Sequence, residues 1–326
     1  MGLNRNGRAL LGIDAGNSKT DVVVVAADGT VLGAARGGGF QPPVVGVRAA
    51  LDALAETVGR AASQAGIPPV FAHVSACLAN ADLPVEEAEL KAALEERGWS
   101  RSVRVRNDTF AILRAGVDEP RGVAVVCGAG INCVGMTPDG RTARFPAIGK
   151  ISGDWGGGSG LAEEALWFAA RAEDGRGEPT ALARALPAHF GLDSMYALIE
   201  ALHLGRIPFE RRHELTPVLF RTSAEGDRVS RSLVHRLAEE VVVLATVALG
   251  RLGLLDEEVP VMLGGSVLAA RHPELDGRIA ELLAAKAPKA GIGVVTAPPV
   301  LGAALFALDE AAAGPEAADR LRAHYA

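Results

Sequence analysis

The segment Leu10–Val25 reads LLGIDAGNSKTDVVVV, and its pattern decides how the rest of the chain is interpreted. An apolar run ends at the carboxylate of Asp14, small and polar residues follow, and a run of β-branched residues returns. Apolar runs on either side of a short polar turn are typical of a β-hairpin. The segment therefore predicts two antiparallel strands with charged and hydroxyl groups gathered at their turn.

The residues of this turn favour phosphate binding. Glycine and asparagine tolerate positive φ angles, so successive backbone N–H groups can point into one concavity, where hydroxyls and a cation add further donors. The turn consists of Gly16, Asn17, Ser18, Lys19 and Thr20. Asp14 is placed to bind Mg²⁺ through water, since magnesium keeps several waters and takes one or two carboxylates. The alternative is a plain hairpin with a polar turn.

Length and composition bound the class of protein. With 326 residues, 49% of them hydrophobic and 22% charged, the chain is long enough for two domains with apolar cores. The formal charge of -6 and the aromatic content of 4% argue against a general nucleic-acid or membrane binder. The cysteines form no CxxC pair, which fits a reducing compartment. With no signal peptide and no apolar run of transmembrane length, we expect a cytoplasmic protein.

Hydrophobic periodicity predicts alternating strands and helices in the first third of the chain. About three strands lie within 9–25 and 30–36, and helical spacing begins at Val47 and ends at Gly66. The elements that follow are a strand over 70–78, a helix over 84–94, a strand over 103–106 and a helix for which Asn107 is the expected N-cap. The order is three strands, helix, strand, helix, strand, helix.

The second half of the chain repeats this order. Three strands are predicted over 123–127, 131–136 and 141–147, and a glycine-rich loop over 153–160 leads to a helix from Leu161. After helices that include an insertion, the chain continues with a strand over 259–263, a helix over 275–285, a strand over 292–296 and a last helix from Pro299. We therefore predict an α/β fold built from a duplicated βββαβαβα unit, with two domains facing each other across a cleft.

Four segments carry a resemblance to a known family: Gly12–Asp21, Asn107-Asp108, Val126–Asn132 and Val261–Ser266. Together they resemble the sugar-kinase, Hsp70 and actin superfamily and, within it, the N-acetylglucosamine kinase and BadF/BadG/BcrA/BcrD ATPase family. The resemblance covers essentially the whole chain. It implies two RNase H-like, actin-like ATPase domains, one over 1–117 with the helix 299–326 packing back on it, and one over 118–298 with a helical insertion at about 160–253.

The resemblance also implies an ATP site. Besides the first turn, its phosphate contacts come from a second hairpin tip, which consists of Gly128, Ala129 and Gly130. Its adenosine motif, which permits close approach of a nucleoside, consists of Gly264, Gly265 and Ser266. Taken alone, the former is an ordinary tight turn and the latter a strand-to-helix turn. Asn17 stands where the family usually has glycine, and because asparagine also adopts left-handed conformations, we expect the first turn to form.

The sugar site implied by the resemblance contains a general base. Asp108 lies in the first turn of a helix, where the helix dipole favours the ionised carboxylate that a base requires. Asp154 corresponds to an acidic position of the family's sugar loop, where a carboxylate accepts hydroxyl donors, although Trp155 departs from the pattern. The other expected sugar contacts are Asn107, Gly130, Asn132, Asn80 and Gln41. The alternative role for Asp108 and Asp154 is to stabilise a helix N-terminus.

The leading hypothesis is an enzyme that uses ATP and Mg²⁺ to phosphorylate the 6-hydroxyl of N-acetylglucosamine or glucosamine. The resemblance implies a homodimer, and neither nucleic acid nor membrane is an expected partner. One alternative is an activator-type ATPase of the same family, for whose iron–sulfur cluster this chain has no paired-cysteine motif. Further alternatives are a sugar-sensing, kinase-like protein without catalysis and an actin-like filament protein.

Overall fold

The computed structural model describes residues 9–326. In its first part, the predicted strands and helices are present in the predicted order, together with one short additional helix at Pro42-Pro43, where proline suits a first helical turn. The elements are β1 (Leu10–Ala15), β2 (Lys19–Val25), β3 (Val31–Gly38), α1 (Pro42–Val45), α2 (Val47–Gln64), β4 (His73–Leu78), α3 (Pro84–Glu95), β5 (Val103–Asn107) and α4 (Thr109–Gly116).

The first sheet has the strand order β3-β2-β1-β4-β5. β1 and β2 form the predicted antiparallel hairpin, β3 pairs antiparallel with β2, and β4 and β5 continue the sheet parallel to β1. In the register, Ala15 pairs with Leu78, and Leu78 pairs with Asn107. The carboxyl ends of three strands therefore lie at one edge of the sheet, where ligands bind in open α/β folds.

Side-chain alternation along β2 divides its valines between two cores. Val22 and Val24 pack in a cluster with the buried face of α2. Val23 and Val25 point to the opposite face, where they pack with apolar residues of the segment 300–321. Because both faces of this sheet are covered, β2 reads as a continuous apolar run and not as an alternating one.

The second part of the chain repeats the scheme of the first. Its elements are β6 (Gly122–Cys127), β7 (Ile131–Met136), β8 (Thr142–Arg144), α5 (Gly157–Glu173), α6 (Leu182–His189), α7 (Met195–His203), α8 (Thr216–Ala224), α9 (Arg228–Leu252), β9 (Val259–Gly264), α10 (Gly265–Ala269), α11 (Pro273–Lys286), β10 (Ala290–Val294), α12 (Pro299–Glu310) and α13 (Pro315–Tyr325). Its sheet has the order β10-β9-β6-β7-β8. Within each repeat, the spatial order is third, second, first, fourth and fifth strand, so the predicted duplication is confirmed.

The chain forms two compact units whose bounds differ from the predicted domain bounds. One unit contains the described residues up to Ala124, Val134–Pro146 and Val295–Ala326, and the other contains Val125–Cys133 and Ala147–Val294. The division falls within β6 and β7. A boundary at residue 118 would instead lie before both strands. Periodicity in the sequence finds the ends of strands, but it does not show that the two halves of one strand belong to different compact units.

The longest helix, α9, has 25 residues, which is enough to cross a bilayer. Charged residues interrupt it, and its buried residues recur at helical spacing on one face, as in a helix that packs on a globular core. Among residues 9–326, no helix combines the length and the apolar character that crossing a membrane requires.

The predicted last helix is in fact two helices, α12 and α13. The first ends in a Schellman motif, in which the N–H of Ala313 donates to the carbonyl of Leu308 at 3.0 Å and the N–H of Ala312 donates to that of Asp309 at 3.0 Å. Ala312 has a left-handed φ of 50°. Helical spacing alone does not reveal this break, because the turn is made of alanines, which favour helix.

α12 approaches its neighbours so closely that two glycines are required. A Cβ atom on Gly302 would lie 1.8 Å from the carbonyl oxygen of Ala111 in α4. A Cβ atom on Gly12 would lie 2.8 Å from the backbone nitrogen of Ala304. Both distances are far below van der Waals contact, so backbone packs directly on backbone where α12 crosses β1 and α4.

A buried arginine ties α4 to the end of α12. Arg114, which is 3% exposed, donates from Nε and Nη2 to the two carboxylate oxygens of Asp309 at 2.8 and 3.0 Å. Its Nη1 donates to the carbonyl of Val117 at 3.0 Å. From α13, Arg322 donates to the carbonyl of Ala115 at 2.8 Å. The segment 299–326 is thus an integral part of the first unit.

We expect Gly302→Ala to lower the free energy of unfolding by about 1–3 kcal/mol, the usual cost of overpacking, because the new methyl group clashes with a backbone carbonyl. Gly59→Ala is the matched control, since Gly59 is also helical and a Cβ there meets no atom within 4 Å. That variant should gain about 0.5–1 kcal/mol from helix propensity. Urea denaturation of both variants measures the difference, and equal stability of the two would contradict close packing at Gly302.

Candidate active site

Polar residues collect at the carboxyl ends of β1, β4 and β5. Asp14 is the penultimate residue of β1, Asn80 follows β4, and Asp108 follows β5. The N–H of Asp108 donates to the carbonyl of Leu78 at 3.2 Å, which joins the last two strand ends. The structure thus brings together in the first unit the predicted metal ligand, one predicted sugar contact and the predicted base.

The turn after β1 forms without the left-handed residues that we expected. The expected turn is present between β1 and β2, but neither Gly16 nor Asn17 has a positive φ. The N–H of Gly16 donates to the carbonyl of Lys19 at 2.9 Å, and the N–H of Phe40 donates to the carbonyl of Gly16 at 2.9 Å. Hydrogen bonds from a neighbouring segment, and not intrinsic backbone preference, therefore fix the conformation of the turn.

Two predicted sugar contacts, Gln41 and Asn80, stabilise this turn. Nε2 of Gln41 donates to the carbonyl of Asn17 at 2.8 Å, and Nδ2 of Asn80 donates to Oδ1 of Asn17 at 2.9 Å. Nδ2 of Asn80 also lies 3.2 Å from the carbonyl oxygen of Phe40. Asn80 itself has a left-handed φ of 62°, which asparagine tolerates better than most residues. Their direct role is thus to hold the turn in place.

The side chains of the turn differ in access to solvent. Ser18 and Lys19 are exposed, whereas Thr20 is buried within the hairpin. The ammonium of Lys19 lies 3.6 Å from the carboxylate of Asp21, which also accepts two hydrogen bonds from Arg36, at 2.6 and 3.0 Å. The exposed members of the turn are therefore available to a phosphate group, and the half-exposed side chain of Lys19 lies beside them.

Three carboxylates interact at this edge of the sheet. Burial raises the pKa of Asp14 to about 8, and the nearby negative charges of Asp108 and Asp21 act in the same direction. Burial also raises the pKa of Asp108 to about 6, against the stabilising N–H of Thr109. Among residues 9–326, no three His, Cys, Asp or Glu side chains form a group that could hold a metal ion. A cation here would rely on one or two carboxylates together with ligands from outside the protein.

Asn107 is not the N-cap that the sequence predicts, because it is the last residue of β5 and Asp108 precedes the helix. Its side chain nevertheless supports the turn: Oδ1 accepts from the N–H of Thr109 at 3.0 Å. Nδ2 donates to Oδ1 of Asp82 at 2.8 Å. The amide therefore fixes the backbone on both sides of Asp108.

One residue of this network, Arg144, was not identified as functional from the sequence. The carboxylate of Asp82 accepts from Asn107. Nη2 of Arg144 donates to the backbone carbonyl of Asp82 at 2.7 Å and lies 3.1 Å from the carbonyl of Ala81. Arg144 also pairs with Glu87 at 2.8 Å. No sequence signal links Arg144 to residues some sixty positions earlier, so only the fold reveals this support.

The second unit brings two of its predicted motifs together. The tip Gly128–Gly130 is closed by a hydrogen bond from the N–H of Gly128 to the carbonyl of Gly130 at 2.9 Å. At Gly265, where φ is 81°, a Cβ atom would lie 2.4 Å from the carbonyl oxygen of Cys127. Gly264, Gly265 and Ser266 at the end of β9 therefore lie directly against the strand that leads into the tip.

The helix after the glycine-rich loop begins earlier than predicted, at Gly157 instead of Leu161. The N–H of Gly158 donates to the carbonyl of Gly128 at 2.7 Å, and that of Ser159 donates to the carbonyl of Ala129 at 3.1 Å. Two N–H groups that have no partner within a helix are thus satisfied by the hairpin tip, which compensates for the low helix propensity of glycine.

A cavity of about 310 Å³ in the second unit contains Gly130 and Asp154 in its wall. Oδ2 of Asp154 accepts from the N–H of Gly149 at 2.8 Å and from the hydroxyl of Ser152 at 2.6 Å, which orients the carboxylate. Trp155 also lines the cavity. The predicted contact Asn132 is on β7, where its Oδ1 accepts from the following N–H at 2.7 Å.

The model of the BadF/BadG/BcrA/BcrD ATPase family matches residues 11–307. The chain belongs to this family. Membership was predicted from four segments of the sequence.

Two curated relatives of this chain are named as sugar kinases. The N-acetyl-D-glucosamine kinase of Dictyostelium discoideum is 26% identical over 325 residues, which cover 92% of this chain and 97% of the relative. The N-acetylmuramic acid/N-acetylglucosamine kinase of Clostridium acetobutylicum is 26% identical over 190 residues, or 58% of this chain. That match spans 62% of the relative, less than two thirds of its length.

Solved structures agree with the fold of this chain. A candidate N-acetylglucosamine kinase from Chromobacterium violaceum is similar with a TM-score of 0.68 and 24% identity, over 92% of this chain and 99% of the other. A ROK family glucokinase from Streptomyces griseus, solved with glucose and AMPPNP, is similar with a TM-score of 0.57 and 17% identity. The match covers 92% of this chain and 99% of the glucokinase. The predicted fold class, an actin-like α/β fold with two domains, is confirmed.

We expect the stability of Asp82→Asn to differ from that of the unchanged protein in a pH-dependent way. Burial, Asp108 and Glu86 raise the pKa of Asp82 to about 7, so the folded chain binds this proton more tightly than the unfolded chain. The unfolding free energy therefore falls as the pH rises from about 4 to about 7, and the variant lacks this loss.

The free energy of unfolding of Asp82→Asn should equal that of the unchanged protein at pH 4 and exceed it by about 1–2 kcal/mol at pH 8. This difference is less than the full linkage value because solvent screens part of the effect. Urea denaturation without divalent cations at both pH values measures this. Asp193→Asn, at an exposed aspartate, is the control and should show no such difference. A constant offset between Asp82→Asn and its parent would refute the assignment.

Proposed function

We propose that this protein is an ATP-dependent sugar kinase that transfers the γ-phosphate of ATP to the 6-hydroxyl of N-acetylglucosamine or glucosamine. The observation that carries the proposal is the position of Asp108, at a parallel strand end beside the carboxylate of Asp14 and anchored by Asn107. The names of the two curated relatives support a sugar as the acceptor.

Asp108 is the general base in this proposal. With a pKa raised to about 6, the carboxylate is mostly ionised at neutral pH and still basic enough to accept a proton. In a loose phosphoryl-transfer transition state the hydroxyl proton leaves late, so Asp108 first orients the attacking oxygen and then takes its proton. The amide of Asn107 holds the backbone around it, which keeps the carboxylate aligned.

The nucleotide contacts of the proposal are backbone and hydroxyl donors. In the first unit these come from Gly16, Asn17, Ser18, Lys19 and Thr20, and in the second from Gly128, Ala129, Gly130, Gly264, Gly265 and Ser266. The exposed groups of both tips are suited to phosphate oxygens. Close packing of Gly265 on Cys127 leaves the end of β9 without a side chain, which suits the flat face of a nucleoside.

The residues present also fit a magnesium ion. Asp14 has two carboxylate neighbours that raise its pKa, and a divalent cation would relieve this repulsion and favour the ionised form. In the proposal Asp14 holds the ion through water, and the ion supplies charge neutralisation for the transferring phosphoryl oxygens.

The sugar lies against Asp154, Asn107, Gly130, Asn132, Asn80 and Gln41 in the proposal. Asp154 supports this role best, because one oxygen is fixed by two hydrogen bonds and the other remains available to sugar hydroxyls on a cavity wall. We propose further that the protein acts in the cytoplasm as a homodimer. All three cysteines are buried, which does not favour the alternative of an activator with a cluster bound between two protomers.

Asp108→Asn tests the base directly. We expect kcat/KM to fall by about 10²-fold or more, the scale for a lost acid–base group, because the amide keeps the shape but cannot accept the proton. The rise of kcat/KM with pH through about 6 in the unchanged enzyme should disappear in the variant.

A coupled ADP-release assay with Mg·ATP and N-acetylglucosamine, glucosamine, N-acetylmannosamine, N-acetylmuramate and glucose gives these values and names the sugar. Asp256→Asn, at an exposed aspartate in the other unit, is the control and should retain full activity. A variant Asp108→Asn that melts early but turns over normally when folded would show that Asp108 only stabilises the helix. No turnover with any sugar would refute the kinase.

Asp14→Ala tests the metal site. We expect turnover to fall by about 10²-fold with every accepted sugar, since the ion stabilises charge on the phosphoryl group whatever the acceptor. The concentration of Mg²⁺ needed for half-maximal activity should rise, and Asp256→Ala should change neither value. Equal turnover and equal magnesium dependence in Asp14→Ala would remove this residue from the site.

A further inference from the structure

A second cavity, in the first unit, contains none of the residues assigned to ATP, sugar or metal. It has a volume of about 240 Å³ and lies among β5, α4, α12 and the hairpin of β7 and β8. Its wall combines four guanidinium groups with two aromatic rings: Arg104, Arg106, Arg141, Arg144, Phe110 and Phe306. Small-molecule sites have this character, an apolar floor with a few polar groups.

The arginines of β5 carry excess positive charge and unused bonding capacity. Arg104 and Arg106 share a single carboxylate, that of Glu310, at 3.5 and 2.9 Å. The guanidinium of Arg106 lies 4.2 Å from the ring centroid of Phe306, which fixes it against the apolar floor. Its Nη1 is buried and has no acceptor among the described residues, an arrangement that native proteins rarely leave uncompensated.

The arginines of the hairpin complete the wall. Arg141 pairs with Asp139 at 2.9 Å on the same turn, and its side chain is 59% exposed, as is that of Arg104. Arg144 pairs with Glu87 at 2.8 Å. Asp309 also lines the cavity, but its carboxylate is already bound by Arg114. An incoming anion therefore meets Arg104 and Arg106, which share one carboxylate, and Arg141, whose partner Asp139 is at the surface.

We propose that this cavity binds a small phosphate monoester that carries an apolar or aromatic group. Guanidinium forks match phosphate oxygens in a bidentate way, and the rings of Phe110 and Phe306 suit the apolar part. The cavity adjoins the candidate base through two routes: Arg106 precedes Asn107, and Arg144 binds the carbonyl of Asp82. A ligand here contacts the supports of the Asp108 turn. The binding itself does not depend on the proposed kinase activity.

Phenyl phosphate is the probe, and its dissociation constant is measured by isothermal titration calorimetry on the full chain. We expect Arg104→Ala and Arg141→Ala to weaken binding by about tenfold or more each, because each removes a charge-assisted contact from an exposed position. Arg206→Ala is the matched control, since Arg206 also forms an exposed ion pair, with Glu200 at 2.6 Å. It should bind the probe as the unchanged protein does.

Two further arms separate other sources of binding. Lys19→Ala should leave the dissociation constant unchanged, so weakening in this variant would place the probe at the ATP phosphate turn and overturn the proposal. Benzoate, which has the ring but a carboxylate, should bind at least about tenfold more weakly, and equal affinity would overturn the assignment to phosphate. Absence of phenyl phosphate binding, or equal binding in all variants, also overturns the proposal.

Discussion

The parallel alignment of β1, β4 and β5 is the constraint on which the first unit depends. Backbone pairing of Ala15 with Leu78 and of Leu78 with Asn107 brings segments from three parts of the chain to one edge. Because side chains alternate along a strand, a slip of one residue in β1 would turn Asp14 to the other face and destroy the group of carboxylates. The apolar contacts of both sheet faces therefore specify the register and, through it, the site.

The site is arranged at a cost in electrostatic free energy. Burial raises the pKa values of Asp14, Asp108 and Asp82. The negative charge of Asp108 raises the pKa values of Asp14 and Asp82 further. Groups with such perturbed pKa values concentrate at functional sites, since a well-solvated or paired carboxylate would stabilise the fold better. The remainder of the unit compensates through close packing of α12 and the ion pair of the buried Arg114 with Asp309.

The two units support their turns by similar means. In the first, Phe40, Gln41 and Asn80 bind the backbone or side chains of residues 16–17. In the second, the first turn of α5 donates to the tip 128–130. Each of these turns is thus stabilised from a neighbouring segment, which leaves its own exposed donors for a ligand. The arginine-lined cavity differs from both, because side chains and not backbone groups supply its donors.

The sequence by itself determined the order of elements, the duplication and the family, because strand and helix periods and the motifs at strand ends are local properties of the chain. The predicted site roles of Asp14, Asp108 and Asp154 rest on the same local motifs, and they stay predictions. It did not determine that α5 begins at Gly157, that the terminal helix breaks at Ala312, or that the turn at Gly16 forms without a positive φ. The tertiary structure alone decided that Arg144 supports Asp82 and that Gly302 packs on Ala111, because these depend on residues distant in sequence whose distances only the folded chain fixes.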